Sequence, residues 1–274
     1  SEDVNIELKT LIMDPEGKIV AIKKTASQKI MGMGEVEISQ QLNVTNPELW
    51  GLESPKLYKA ISEVYQGGKL VDSYDTPFGI RYFNFDPVNG FFLNGESVKL
   101  QGVNLHHDLG PLGTAVNKRA TQRQLEIMKE MGANAIRTAH NPPSPEQLAL
   151  CDEMGILVID ETFDEWSMAK NEVQNSYNIW FDKWAEKDTR ALIQRDRNHP
   201  SVIMWSIGNE IPDLDTERGK NNAKMLSNIC REMDPTRPVN AGVHLSTVFD
   251  DELYMSINLL CAENWNCSLA CLFT

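Results

Sequence analysis

Four short stretches place residues capable of proton transfer or hydroxyl binding directly behind apolar runs. In HPSVIMWSIGNEIP, His199 to Pro212, the stretch Ser201–Ser206 reads as a buried strand, yet the run finishes on Asn209 and Glu210. An ionised carboxylate beside a dry core is costly unless something holds it there. A carboxyl group at such a strand end suits a general acid, and a neighbouring amide suits a substrate hydroxyl. His140 follows the apolar run Ala133–Arg137 in the same way, and Asp160 and Glu161 close the run that begins at Ile156, with Asp164 and Glu165 just beyond. In GVNLHHDLG, His106 and His107 are adjacent on an extended segment, so their side chains leave on opposite sides and at most one faces a common site. Each residue also has a purely structural reading. Glu210 can serve as a salt-bridge partner, Asn209 as a turn residue, His140 as a cap on a helix starting at Pro145, and the acids as a solvated loop. A zinc site from His106, His140 and Glu161 would require ligands converging from separate strands, and no HExxH or comparable spacing supports it.

The elements that must position these residues fall into two regions. Up to residue 80 the chain carries short apolar or alternating runs at Ile6–Leu8, Ile19–Ile22, Val36–Ile38, Leu57–Val64 and Lys69–Val71. Turn signals separate them: Asp14-Pro15-Glu16-Gly17, Asn46-Pro47 and Gly67-Gly68. This pattern predicts an antiparallel β-sandwich of immunoglobulin-like size over residues 1–80, without the Cys–Trp–Cys signature of an antibody domain. From residue 81 onward, strands and helices alternate. Strands are expected at Val98–Val103, Ala133–Arg137, Ile156–Ile159, Val202–Ile207 and Pro238–Ala241, and helices at Thr121–Met131, Pro145–Met154, Trp180–Arg197 and Thr216–Met233. Apolar strands alternating with helices form parallel βα units covered on both faces. Polar residues after successive strands (Asn104 and His106, His140, Asp160 and Glu161, Asn209 and Glu210) match the layout of a β/α barrel, whose sites gather at the carboxyl ends of its strands. An open doubly wound sheet shares that property and is the alternative, although no glycine-rich phosphate loop is present. A barrel needs eight strands and roughly 250 residues. Residues 81–274 are therefore expected to form a barrel truncated after about five strands.

Bulk properties exclude several classes. Among the 274 residues, 41% are hydrophobic and 24% charged, which places the chain with globular rather than disordered proteins. The formal charge of −13, with no basic stripe, argues against nucleic acid. No apolar run of about eighteen residues exists to span a membrane. The start, SEDVNIELKT, is not a signal peptide, which leaves the compartment open: cytoplasmic, or periplasmic or secreted after loss of a leader. The cysteines, Cys151, Cys230, Cys261, Cys267 and Cys271, are odd in number and match no zinc spacing.

Three segments carry a resemblance to a known family: FGIRYFNFDPVNGFFLNGESVKLQGVNLHHD, MKEMGANAIRTAHNPPSPEQLALCDEMGILVIDE and RDRNHPSVIMWSIGNE. Together they resemble glycoside hydrolase family 2, most closely its β-galactosidase branch, with β-glucuronidases and β-mannosidases as near relatives. The likeness runs from about Leu49 to Thr247. It implies an immunoglobulin-like sandwich before a catalytic barrel and retaining hydrolysis of a β-galactoside without a cofactor. Glu210 would be the acid/base, Asn209 the amide that binds the sugar 2-hydroxyl, His140 and His106 the lining of the sugar pocket, and Glu161 an acid of the site. Trp166, Trp180, Trp184, Trp205 and Trp265 read mostly as core, and Trp166, just past a strand end, is also a candidate to stack on a sugar ring. Magnesium-binding members carry a Glu and a His after the third strand. Glu165 fits the first, but Ser167 stands in place of the second, so a magnesium site is not expected. The family's nucleophile is a Glu ending the seventh barrel strand. Glu263 is the only late candidate, and the stretch ELYMSINLLCAENWNCSLACLFT does not resemble the family there. The expectation is a fragment lacking the nucleophile and the preceding jelly-roll domain, inactive by itself. The alternatives are a non-hydrolytic carbohydrate-binding remnant and a chain that associates, as a homo-oligomer or with a partner, through open barrel edges.

Overall fold

The computed structural model describes residues 2–170 and 175–242, and the chain divides into two compact units after Arg81. Glu263, Trp265 and the three late cysteines lie outside the described residues. In the first unit, β1 (Val4–Met13), β2 (Ile19–Lys24), β3 (Gln28–Ile30), β4 (Tyr58–Gln66) and β5 (Lys69–Phe78) pair antiparallel in the order β2-β1-β4-β5. β1 serves two ladders on one side, since Val4–Ile6 pair with β3 and Lys9–Met13 with β2. Gly67 and Gly68, with φ of +57° and +78°, close the β4–β5 hairpin where a side chain would be strained. The expected strand Val36–Ile38 is absent. The triplet follows a turn in which Gly34 N–H donates to Met31 O at 2.8 Å, and no ladder among the described residues includes it.

The second unit opens with a small antiparallel sheet that was not anticipated: β6 (Phe83–Asp86), β7 (Gly90–Leu93) and β8 (Glu96–Val98). Its rings Phe83, Phe85 and Phe91 pack 4.9–6.0 Å apart. Asn94 and Gly95, at φ of +54° and +86°, supply its second turn, and an Asn-Gly pair is the strongest short hairpin signal in a sequence. The expected strand Val98–Val103 therefore splits. Its first residue ends β8, and its last lies in β9 (Gly102–Asn104), a barrel strand.

From β9 the chain alternates: α1 (Lys118–Glu130), β10 (Ala135–Arg137), α2 (Pro145–Met154), β11 (Leu157–Glu161), α3 (Asn178–Asp196), β12 (Val202–Asn209), α4 (Glu217–Met233) and β13 (Val239–Gly242). The five strands are parallel and lie side by side in sequence order. A doubly wound sheet reverses its strand order at a switch point; this sheet does not, and its succession is that of a barrel wall. Local chemistry sets the helix starts. Asn117, Ser144 and Thr216 accept from backbone N–H groups of the first turns of α1, α2 and α4, and Pro145 occupies the first position of α2. Leu125, Leu148, Ile193, Trp205 and Leu226 are buried between helices and sheet.

Strand alternation sends the adjacent acids Asp160 and Glu161 to opposite sides of β11. Asp160 is wholly buried, in reach of Asp196 and Arg195 of α3, of Arg237 before β13 and of Cys230 of α4. Neither Asp160 oxygen receives a hydrogen bond from a donor among the described residues. A proton on Asp160 resolves this, because the neutral acid donates to Asp196, which Arg195 holds by two 2.6 Å bonds. Burial, with the Asp196 charge adding to it, raises the Asp160 pKa well above its ordinary value. Above about pH 4 the unfolded chain releases this proton while the folded protein keeps it. Folding then takes up a proton, so stability falls as pH rises from there toward the raised folded value. Asp160→Asn keeps the shape and removes the titration. Urea midpoints measured at pH 5 and pH 8 are expected to converge in the variant and to differ in the wild type, with the lower value at pH 8.

Candidate active site

The carboxyl ends of β9 to β12 converge on one buried ion pair. Arg137, the last residue of β10, donates from Nε to Glu161 Oε2 at 2.7 Å, with its Nη2 2.6 Å from the same oxygen. Their side chains are 9% and 0% exposed. Ser206 Oγ of β12 donates to Glu161 Oε2 at 2.5 Å, and His140 Nδ1 lies 2.7 Å from Oε1. A carboxylate only accepts, so His140 carries its hydrogen on Nδ1 and leaves Nε2 for another partner. The guanidinium reaches further, through Nη1 and through the same Nη2. Nη1 donates to Asn104 Oδ1 at 3.3 Å and Nη2 to Asn209 Oδ1 at 3.0 Å. One guanidinium thus ties together the ends of β9, β11 and β12.

Asn209 is buried at the end of β12 and is held on its other side as well, its Nδ2 donating to Asp164 Oδ1 at 3.1 Å. Asp164 also accepts from Lys170 Nζ at 2.6 Å. Partial burial opposes ionisation of Asp164, but the hydrogen bonds from Lys170 and Asn209 outweigh it and hold the carboxyl below its usual pKa. Glu210 comes next, exposed, with its backbone N–H donating to Gly242 O at 2.7 Å. Its φ of +44° is left-handed, a conformation that costs a non-glycine residue about 1–2 kcal/mol. Gly242 is required opposite: a Cβ there would sit 2.7 Å from Arg137 Nη2 and 3.1 Å from Asn209 Oδ1.

The residues singled out in the sequence therefore meet unevenly. Glu161, His140 and Asn209 share the Arg137 network. His106 joins through its ring, edge-on to that of His140 with centroids 5.1 Å apart, while His107 turns away to Thr114 O at 2.9 Å. Glu210 is attached to the network through the backbone of β12. Arg137, Ser206 and Lys170 had been overlooked, and Asp164 had been weighed as a loop acid. An arginine inside the apolar run Ala133–Arg137 was the available signal, because a buried guanidinium must be paired.

The sequence offers Trp166 as core or as a stacking ring, and it offers Trp180 and Trp184 as core. Trp166 does not offer a ring to a ligand. It is fully buried, its indole donating to Ile207 O at 2.8 Å. Trp180 and Trp184 are not core but 51% and 38% exposed, because α3 turns Phe181 and Ala185 inward and the residues one position earlier face out. Glu165 does not stand ready for magnesium, since its two oxygens accept from the backbone N–H groups of Lys170 and Asn178. Ser167 is engaged with Asp213 and Asn222. No group of three or more His, Cys, Asp or Glu among the described residues has the geometry of a metal site.

Removing one partner of a buried ion pair strands the other. Arg137→Met is expected to destabilise the fold by about 3–5 kcal/mol, and Glu161→Gln in the same chain to restore much of that, as read by urea denaturation of both singles and the double. Glu210→Gly relieves the left-handed strain and is expected to raise stability by up to about 1 kcal/mol in the same assay.

Comparison with known proteins agrees with this geometry. Residues 1–81 match the model of glycosyl hydrolases family 2, and residues 88–263 match that family's TIM barrel domain. The β-galactosidase BoGH2A of Bacteroides ovatus is 41% identical, the match covering 87% of this chain and 31% of that protein. A β-glucuronidase of Bacteroides fragilis is 30% identical, with 87% and 34% covered. The crystal structure of a glycosyl hydrolase family 2 member from Bacteroides cellulosilyticus superposes with a TM-score of 0.87 at 39% identity, covering 93% of this chain and 32% of that one. The chain spans about a third of the length of these relatives. Its architecture is an immunoglobulin-like sandwich unit followed by part of a TIM barrel. With both family models matched end to end along the sandwich and the barrel wall, the chain belongs to glycoside hydrolase family 2.

Proposed function

We propose that this chain carries the acid/base side of a retaining β-glycosidase acting on terminal β-galactosides. The observation that supports it most is the Arg137-centred network, which holds Asn209, Glu161 and His140 together at the strand ends beside an exposed Glu210. In this reading the Glu210 carboxyl protonates the departing glycosidic oxygen and later, as a carboxylate, takes a proton from the incoming water. Asn209 donates from Nδ2 to the sugar 2-hydroxyl, a contact that strengthens as the oxocarbenium-like transition state forms. His140, with Nδ1 committed to Glu161, offers Nε2 to a sugar hydroxyl, and His106 stands beside it. The chemistry needs two carboxyl groups about 5–5.5 Å apart and no cofactor. Glu161 is not the second of them. Hydrogen bonds from Arg137, Ser206 and His140 engage both its oxygens, and its side chain is wholly buried, which keeps it from an anomeric carbon. The nucleophile belongs to residues outside those described.

A neutral sugar is favoured by the charge arrangement. Among the described residues, the cations bonded into the network, Arg137 and Lys170, are each paired with a carboxylate, Glu161 and Asp164, so neither is available to a substrate carboxylate. The higher identity to a protein named β-galactosidase points the same way, while the β-glucuronidase relative keeps a uronide as the second reading. Isothermal calorimetry of the chain with galactose and with glucuronate distinguishes them. Galactose is expected to bind, Asn209→Ala to abolish that binding, and glucuronate to give no heat; the reverse preference would overturn the sugar assignment. The chain alone is expected to release little or no nitrophenol from nitrophenyl β-galactoside. Rapid turnover would show that the second carboxylate is already present.

A further inference from the structure

The Asn209 amide is held from both ends by groups that leave it no choice of orientation. Arg137 can only donate, so the atom 3.0 Å from its Nη2 is the amide oxygen. An ionised carboxylate can only accept, so the atom 3.1 Å from Asp164 Oδ1 is the amide nitrogen. Asp164 is itself fixed, by Lys170 Nζ at 2.6 Å on the same oxygen. The Lys170 side chain is only 17% exposed, and its backbone N–H is held by Glu165 Oε2 at 3.1 Å. Through its other oxygen Glu165 accepts from Asn178 N–H at the start of α3, at 2.9 Å. The loop after β11 is thus braced against α3, and it reaches the amide through Asp164.

We propose that Asp164, anchored by Lys170, is a positioning residue that fixes the Asn209 amide with Nδ2 as the group offered to substrate. One Nδ2 hydrogen is spent on Asp164 and the second remains for a sugar hydroxyl acting as acceptor. This rests on the reading that Asn209 binds the sugar. Without Asp164 only the Arg137 bond to the oxygen remains among the hydrogen bonds described, and the amide is freer to turn about its Cβ–Cγ bond and carry the nitrogen away from the hydroxyl. The loss therefore falls on recognition of that hydroxyl rather than on the fold.

Two measurements on the full chain test the proposal separately from the sugar assignment. With asparagine-selective 15N labelling, the Asn209 carboxamide signals are identified by their loss in Asn209→Ala. They are expected to move in Asp164→Ala and in Lys170→Met and to stay near their wild-type position in Asp164→Asn, whose amide oxygen still accepts. The Trp166 indole signal, bonded to Ile207 O, reports an intact barrel wall in each variant. Asn209 signals unchanged in Asp164→Ala overturn the proposal whether or not any sugar binds. In the second measurement, the ratio of dissociation constants for 2-deoxygalactose and galactose is expected to fall by about tenfold in Asp164→Ala, the size of one well-placed hydrogen bond, and to recover in Asp164→Asn. An unchanged ratio in Asp164→Ala overturns the positioning role. Binding of neither sugar by the wild type overturns the reading of Asn209 on which the role depends, and the amide signals still decide whether Asp164 holds it.

Discussion

The buried contact between Arg137 and Glu161 is the constraint around which the barrel mouth is organised. Neither charge tolerates such burial alone, and each satisfies the other only because β10 and β11 are parallel neighbours in register, Arg137 opposite Ile159. Ser206 and His140 complete the acceptor sites of Glu161, and Asn104 and Asn209 accept from Nη1 and Nη2 of the guanidinium. Most of these side chains, Asn104, Arg137, Glu161, Ser206 and Asn209, leave from strands, which hold a constellation more precisely than loops do.

The same alternation that aims Glu161 at the mouth sends Asp160 into the helical layer. There it forms a second polar cluster with Asp196 and Arg195, near Arg237. Two neighbouring acids thus have unlike tasks. One accepts hydrogen bonds from donors on three segments of the chain; the pKa of the other is raised by burial and a like charge. Glu210 differs again. It sits on a left-handed turn and in contact with solvent. Backbone strain of this kind is tolerated where surrounding structure holds it, and here the hydrogen bond to Gly242 and the closeness of that glycine to Arg137 provide the hold.

Periodicity and punctuation made most of the barrel wall legible. Four helices and the later strands lie within a few residues of their expected bounds, because apolar spacing and caps such as Ser144-Pro145 and Thr216 act locally. The small sheet β6–β8 was missed although its Asn94-Gly95 turn is a local signal; the aromatic run around it lacks clean alternation. The strand expected at Val36–Ile38 failed because three residues do not create a ladder without a partner. In the site, Asn209, Glu161, His140 and His106 stood out by their place after strands. Arg137 did not, because it is the last residue of its strand rather than a residue beyond it, and its partners are 24, 33 and 72 residues away.

What the sequence by itself determined is the succession of βα units, the family motifs and the positions from which polar side chains leave the strands. Those follow from local geometry, a period of two in strands and one near 3.6 in helices. Only the tertiary structure decided which of those side chains meet. It placed Trp166 in the core instead of the site, exposed Trp180 and Trp184, committed Glu165 to backbone donors and joined Asp164 to Asn209. Pairing across strands depends on register between segments distant in the chain, and whether a carboxylate ends neutral, paired or free depends on which donors that register brings to it.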